Sequence, residues 1–291
     1  MSTIYQRITQ TILDKLSTGA APWVRPWRTV TDPVPCNMTT NRPYRGINAV
    51  MLHLLAEDAG YSSNRWLTYR QAASLGGNVR RGERGVPVIF YQRRGPGPEA
   101  QATECAVEDG IQPPIIRVYT VFNVAQIDGL RLDAQDCSGV PDDANERAES
   151  LLSRSGAMIR HGGNRACYRP TTDSIQLPLP ATFEGAGAYY ATALHELVHW
   201  TGHAGRCNRE FGKRFGDQAY AAEELVAELG SAFLCANCRV DGQLQHAEYI
   251  GQWMALLERD TRAIFVAAAK AQQAVDYLRS IIESDNTAVA A

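Results

Sequence analysis

Residues 194–203 read LHELVHWTGH and carry three of the chain's six histidines, with one glutamate between the first two. Tyr190, Leu194, Leu197, Val198 and Thr201 fall at helical offsets and make the apolar stripe of a buried helix. On that helix His195 and His199 lie one turn apart on a common side. The spacing lets two imidazoles reach one Zn²⁺ at about 2 Å, and it sets Glu196 beside the metal, where it can take a proton from bound water. The chemistry predicted is hydrolysis of a polarised carbonyl. Two histidines satisfied within a core would leave the same pattern without a metal.

A third ligand decides between these readings. The metzincin pattern is excluded, because Gly205 stands where its third histidine belongs. His203, one turn beyond His199, would close a three-histidine site but sits at the helix end. The stretch YAAEELVAELGSAFL, residues 220–234, offers more: Glu224 and Glu228 share one helical face, and Leu225, Leu229, Ala232 and Phe233 form the other. A glutamate on a second helix gives the His₂Glu site of thermolysin-like enzymes, with a position open for water. Glu224 is therefore assigned as ligand and Glu228 as the acceptor that orients a histidine. Glu223 and Glu228 stay open as alternative ligands. Such a donor set holds Zn²⁺, Mn²⁺ or another divalent first-row ion. Upstream, Tyr168 and the strand 173–177 would form the edge strand over the cleft, able to pair with an extended peptide.

Charge is divided along the chain. Residues 1–94 hold 13 Lys and Arg against 5 Asp and Glu, while the remainder holds 16 against 26. All but one of those N-terminal cations are arginines, which fork onto phosphates and stack on planar rings. They interleave with aromatic residues: Trp23, Arg25, Trp27 and Arg28; Arg42, Tyr44, Arg45 and Asn48; Trp66 and Tyr69. Arg80, Arg81 and Arg84 follow on a glycine-rich turn. Single strands expose base faces for stacking and phosphates for cations, so this mixture suits single-stranded DNA or RNA. Some of the tryptophans must serve the core, and a solvated basic surface remains the plainer alternative.

At 291 residues and 45% hydrophobic, the chain can bury two cores of ordinary size. No apolar run of about 18 residues appears and the N-terminus lacks a signal-peptide pattern, so a cytoplasmic protein with no membrane partner is expected. The seven cysteines are scattered and read as reduced thiols; the lone Cys235-Ala-Asn-Cys238 is far short of a zinc ribbon. An amphipathic helix opens the chain, capped by Ser2 or Thr3 and stopped at Gly19. Helices near 47–60 and 68–77, strands near 79–94 and 115–124, and a loop insertion at 95–114 follow. Asp142 or Asp143 caps the helix that begins the second part. Strands and four longer helices complete an α+β chain, divided as an N-terminal α+β domain over 1–130, expected to bind single-stranded DNA, and a C-terminal domain over 141–291.

The segments NRPYRGIN, VFNVAQIDGL, HELVHWTGH, YAAEELVAELGSAFL and YIGQWMALLERD, in that order with Trp23 and Trp27 ahead of them, resemble the ArdC antirestriction family of conjugative plasmids. The resemblance runs nearly end to end. It implies a single-stranded-DNA-binding domain joined to a zincin-like metallopeptidase domain, and protection of incoming plasmid DNA from the recipient's restriction enzymes. Carried onto this chain, its zincin residues are His195, Glu196 and His199, with Glu224 as the third. The expected partners are single-stranded DNA and restriction-modification enzymes or another protein substrate. A second reading is a DNA-dependent metalloprotease similar to SprT/Spartan.

Overall fold

A computed structural model describes residues 3–19, 21, 23, 34–92, 115–130, 144–211, 218–241 and 247–289, apart from the side chains of 92, 247, 248 and 284–289. The expected caps at 142–143 and the acidic insertion at 95–114 lie outside the described residues. The elements run α1 (Ile4–Leu16), β1 (Cys36–Asn37), α2 (Gly46–Asp58), β2 (Arg65–Thr68), α3 (Tyr69–Ser74), β3 (Asn78–Val79), β4 (Val86–Gln92), β5 (Ile115–Asn123) and β6 (Ile127–Asp128). They continue with α4 (Ala144–Arg154), β7 (Met158–His161), β8 (Cys167–Arg169), β9 (Ser174–Leu177), α5 (Ala186–Thr201), α6 (Gln218–Cys238), α7 (Ala247–Arg259) and α8 (Ala263–Val289). The chain is α+β and falls into two compact units, residues 29–138 and residues 1–28 with 139–291. No helix among the described residues is long and apolar enough to cross a membrane.

The unit over 29–138 is built on a sheet ordered β1-β2-β5-β4, in which β1 and β2 run parallel and the other pairs antiparallel. A second small pair joins β3 to β6. Val86, Val88 and Val121 project from β4 and β5 onto Leu52 and Ala56 of α2, with Tyr44 and Trp66 completing the cluster. The alternation of valines along β4 makes one face apolar, as strand periodicity requires. Asn48 of α2 finishes the outer edge of β4: its amide nitrogen donates to the Ile89 carbonyl at 2.7 Å and its oxygen accepts the Ile89 N–H at 2.9 Å. An otherwise unpaired stretch of edge strand is thus satisfied by one side chain.

The N-terminal helix differs from the linear division of the sequence. Thr3 caps α1 in a reciprocal box with Gln6, and the buried residues Ile8, Ile12 and Leu16 put the helix against α7. Burying each of these side chains stabilises by roughly 1.5–3 kcal/mol. Thr9 Oγ1 donates to the Thr261 carbonyl at 2.7 Å and Tyr5 meets Phe265 edge-on at 4.7 Å. The amphipathic face read from the sequence therefore covers the C-terminal helices, and α1 groups with the unit that contains them.

In that unit β7, β9 and β8 form a sheet in that order, β7 parallel and β8 antiparallel to β9. The strand 173–177, expected at the edge, is the central one; the edges are β7 and β8, and β8 carries Tyr168. Helix α5 lies beside β8 and β9 and packs along α6. The two helices approach closely because position 230 is glycine: a Cβ there would stand 2.8 Å from both Cγ atoms of Val198. The last turn of α5 is closed by arginines from the following loop, Arg209 Nη2 donating to the Val198 carbonyl and Arg206 Nε to that of Trp200. Cations at a helix C-terminus satisfy orphan carbonyls and oppose the negative end of the dipole.

Candidate metal centre

The α5–α6 contact brings three donors together. His195 Nε2 and His199 Nε2 stand 3.2 Å apart. Glu224 places Oε2 3.5 Å from the first and Oε1 3.6 Å from the second. An ion bound tetrahedrally at about 2.0–2.1 Å separates its ligand atoms by about 3.3–3.4 Å. The two imidazole nitrogens match one edge of such a tetrahedron, and the Glu224 carboxylate spans the pair with one oxygen toward each. Among the described residues, His195, His199 and Glu224 are the group whose ligand atoms all lie within 4.8 Å of one another, and all three are buried. His203 sits past the helix end, where its Nδ1 accepts the N–H of Gly205 at 3.1 Å.

The electrostatics suit a cation. Burial opposes a charged His199, yet hydrogen bonds and charge from Glu223 and Glu224 outweigh it and push its pKa up to about 10. Burial would raise Glu224, but His195 and His199 hold its carboxyl well below the usual range. Without metal, a proton on His199 balances the carboxylates; an ion at the same point would do so in its place.

Glu196 follows the first donor, and its Oε2 accepts the main-chain N–H of Tyr168 at 2.6 Å. Tyr168 pairs with the central strand β9 across Ile175, so the outer side of β8 faces the helix that carries the site. The hairpin is pinned in turn. Tyr168 Oη donates to Asp173 Oδ1 at 2.9 Å, Arg206 pairs with the Asp173 carboxylate through both of its terminal nitrogens, and the Arg206 guanidinium lies over the Trp200 ring at 3.8 Å. A bidentate arginine on a stacking ring is a rigid arrangement. Phe211 closes one wall, 5.7 Å from the Tyr168 ring and 6.4 Å from that of His199.

The carboxylate on a donor histidine's other ring nitrogen belongs to Glu223: Oε1 lies 3.2 Å from His199 Nδ1. The expected orienting residue, Glu228, is buried one turn beyond Glu224 on α6, so for His199 this contact passes to Glu223. Glu223 was legible only as the neighbour of Glu224. Its partner Arg209 carried no sequence signal, since it lies in a loop that only the fold folds back on α5 and α6. Tyr220, one turn before Glu224, meets Tyr249 Oη at 3.0 Å; burial, that hydrogen bond and the charge of Glu224 push its phenol up. Cys235 and Cys238 are buried along α6, and burial raises their thiols to about 12 and about 11, which leaves them inert.

The residues expected to meet nucleic acid divide sharply. Trp23 is 4% exposed against Trp253, Trp66 is fully buried, Tyr44 is 7% exposed in the same core as Trp66, and Asn48 is 3% exposed on the Ile89 backbone. These four are core residues: a ring packed on all sides has no face to offer a base. Arg25, Trp27 and Arg28 lie outside the described residues. Arg42, Tyr69, Arg81 and Arg84 are exposed and Arg45 is half-buried. Arg80 is exposed but paired, 2.7 Å from Glu83 and 3.4 Å from Asp128. Composition missed Tyr119 and Arg117 on β5, both exposed.

Comparison with known proteins gives the same two parts. Residues 2–122 match the model of the N-terminal domain of anti-restriction factor ArdC, and residues 146–270 that of a zincin-like metallopeptidase. Protein y4eC of Sinorhizobium fredii is 40% identical over 287 residues, covering 95% of this chain and 92% of that protein. A DNA primase TraC of Escherichia coli is 40% identical over 292 residues, of which this chain spans only 27%. The crystal structure of antirestriction protein ArdC from plasmid R388 in metal-free form superposes with a TM-score of 0.78 at 38% identity, covering 97% of this chain and 99% of that one. Its Mn(II)-bound form gives 0.77 and covers 96% and 98%. The cofactor of this centre is a divalent metal ion, for which the buried His-His-Glu donor set is the fitting site.

Proposed function

The chain belongs to the ArdC antirestriction family, and from that premise we propose that it binds single-stranded DNA without sequence preference and protects incoming plasmid DNA from restriction during conjugation. The observation that carries this reading is the pairing of two unlike surfaces in one chain. In the unit over 29–138 Arg42, Arg81, Arg84 and Arg117 are exposed, with Tyr69 57% and Tyr119 43% exposed. Exposed rings stack on bases of any identity and arginines meet phosphates. The other unit carries the metal centre, which acts on, or docks to, the restriction enzymes or another protein substrate in the cytoplasm. Its ligands are His195, His199 and Glu224, and Glu196 is its general base.

The test is transfer of an unmodified plasmid into a restricting recipient, with wild type and Glu196→Gln expressed equally. Protection by wild type that the variant loses makes metal-assisted hydrolysis the mechanism; equal protection by both leaves DNA binding or docking as sufficient. Absence of protection by wild type overturns the reading.

A second reading, a DNA-dependent metalloprotease, is favoured by one observation: Glu196 sits beside the donors with one carboxylate oxygen fixed by the Tyr168 amide, as a general base requires. It expects cleavage of the chain itself or of a bound protein that single-stranded DNA stimulates and Glu196→Gln abolishes.

A further inference from the structure

Arg209 is 6% exposed and makes five hydrogen bonds, although its loop carries no metal-site motif. Nε donates to Glu223 Oε1 and Oε2 at 3.2 and 3.0 Å, and Nη2 to Oε1 at 2.9 Å. Nη1 reaches Thr201 Oγ1 at 2.8 Å and Nη2 the Val198 carbonyl at 2.6 Å. One guanidinium therefore ties the α5 turn that holds His199 to the α6 turn that holds Glu224. Glu223, fixed between them, meets His199 Nδ1 at 3.2 Å.

We propose that Glu223, held by Arg209, is the positioning residue that makes His199 a metal ligand through Nε2 and sets the affinity of the centre. This rests on the His₂Glu ligand assignment and on no activity. A carboxylate can only accept, so His199 Nδ1 must carry a hydrogen, and in the neutral ring that a metal binds the lone pair is left on Nε2. Nε2 is the atom that stands 3.2 Å from His195 Nε2 and 3.6 Å from Glu224 Oε1. The same bond restrains ring rotation, so less ordering cost is left for the metal to meet. Removing partners of this kind lowers metal affinity by about 10–100-fold.

The test is Mn²⁺ and Co²⁺ titration of the full chain, comparing wild type, Glu223→Gln and Glu223→Ala, with the visible Co²⁺ spectrum as a reading of coordination geometry. Glu223→Ala is expected to weaken binding by about 10–100-fold and to shift the Co²⁺ bands. Glu223→Gln should recover most of both, because its carbonyl still accepts from Nδ1. A buried guanidinium without its carboxylate threatens folding. For that reason Arg209→Met/Glu223→Ala, which removes both charges, is measured too and is expected to show the same loss. Affinity within threefold of wild type in either alanine-containing chain, or a loss that Gln does not recover, overturns the proposal. Failure of wild type to bind either ion would overturn the ligand assignment instead.

Discussion

The metal centre and the exposed arginines of the unit over 29–138 use charge in opposite ways. At the centre His195, Glu196, His199, Arg209, Glu223 and Glu224 are all buried, and the hydrogen bonds among them fix angles as well as signs. In the unit over 29–138, Arg42, Arg81 and Arg84 stand in solvent, while Trp66 and Tyr44 have gone inside. Buried charge must be paired and directed to be tolerated at all. Exposed charge can serve any ligand that brings phosphates. A geometric demand therefore writes itself into residue spacing, whereas a general electrostatic demand writes only into residue type.

The largest expected effect would break the first half of that contrast. His199→Ala or Glu224→Ala leaves two donors, and Mn²⁺ binding by titration should fall below detection; retention at wild-type strength would remove that residue from the ligand set. Next comes the division between core and surface aromatics. Trp66→Ala should destabilise the chain by about 3–5 kcal/mol in denaturant unfolding, through packing alone. Tyr69→Ala should leave unfolding unchanged and weaken single-stranded DNA binding by about 1–3 kcal/mol. An exchange of these two outcomes would restore the tryptophan to the DNA surface. Arg81→Ala and Arg84→Ala should each lower the slope of log affinity against log salt by about 0.7 for every phosphate left without its cation.

The smallest effect sharpens the picture of the centre. In the metal-free protein the pKa of His199 is raised, from an ordinary value of about 6.5 to about 10. A raised pKa contributes stability that is complete below the ordinary value and is lost as pH climbs through the folded one. Between pH 7 and 10 the metal-free melting temperature should therefore fall by more than that of the Mn²⁺-loaded protein, whose His199 holds no exchangeable proton on Nε2. Parallel profiles would mean that His199 is not protonated in the empty centre.

His195, Glu196 and His199 were legible because one helix fixes their relation through its pitch. Glu224 followed because α6 repeats the same pitch, although the choice among Glu223, Glu224 and Glu228 needed the rotation of α6 about its axis. That rotation is set by packing against α5, which no local pattern records. Arg209 and the Tyr168 amide come from loop and strand positions brought in by tertiary structure, so nothing near the motif announces them. On the N-terminal side residue type set arginine and tryptophan in unusual company, but which rings turn inward is decided by packing, Trp66 by the buried face of β2 and Trp23 by its contact with Trp253. The amphipathic face of α1 was plain, and its target, the α7 helix more than two hundred residues away, was not.

Position 230 shows how far a coordination sphere extends. A methyl group there would press on Val198 from 2.8 Å, and Val198 is a stiff side chain joined directly to His199. Metal–donor distances tolerate about 0.2 Å, less than the displacement such a wedge would force between the helices. Gly230 thus acts as a gauge block: the bare backbone at one point on α6 sets the separation of candidate donors it never touches, and a mutational scan for metal loss is expected to register a position with no donor atom.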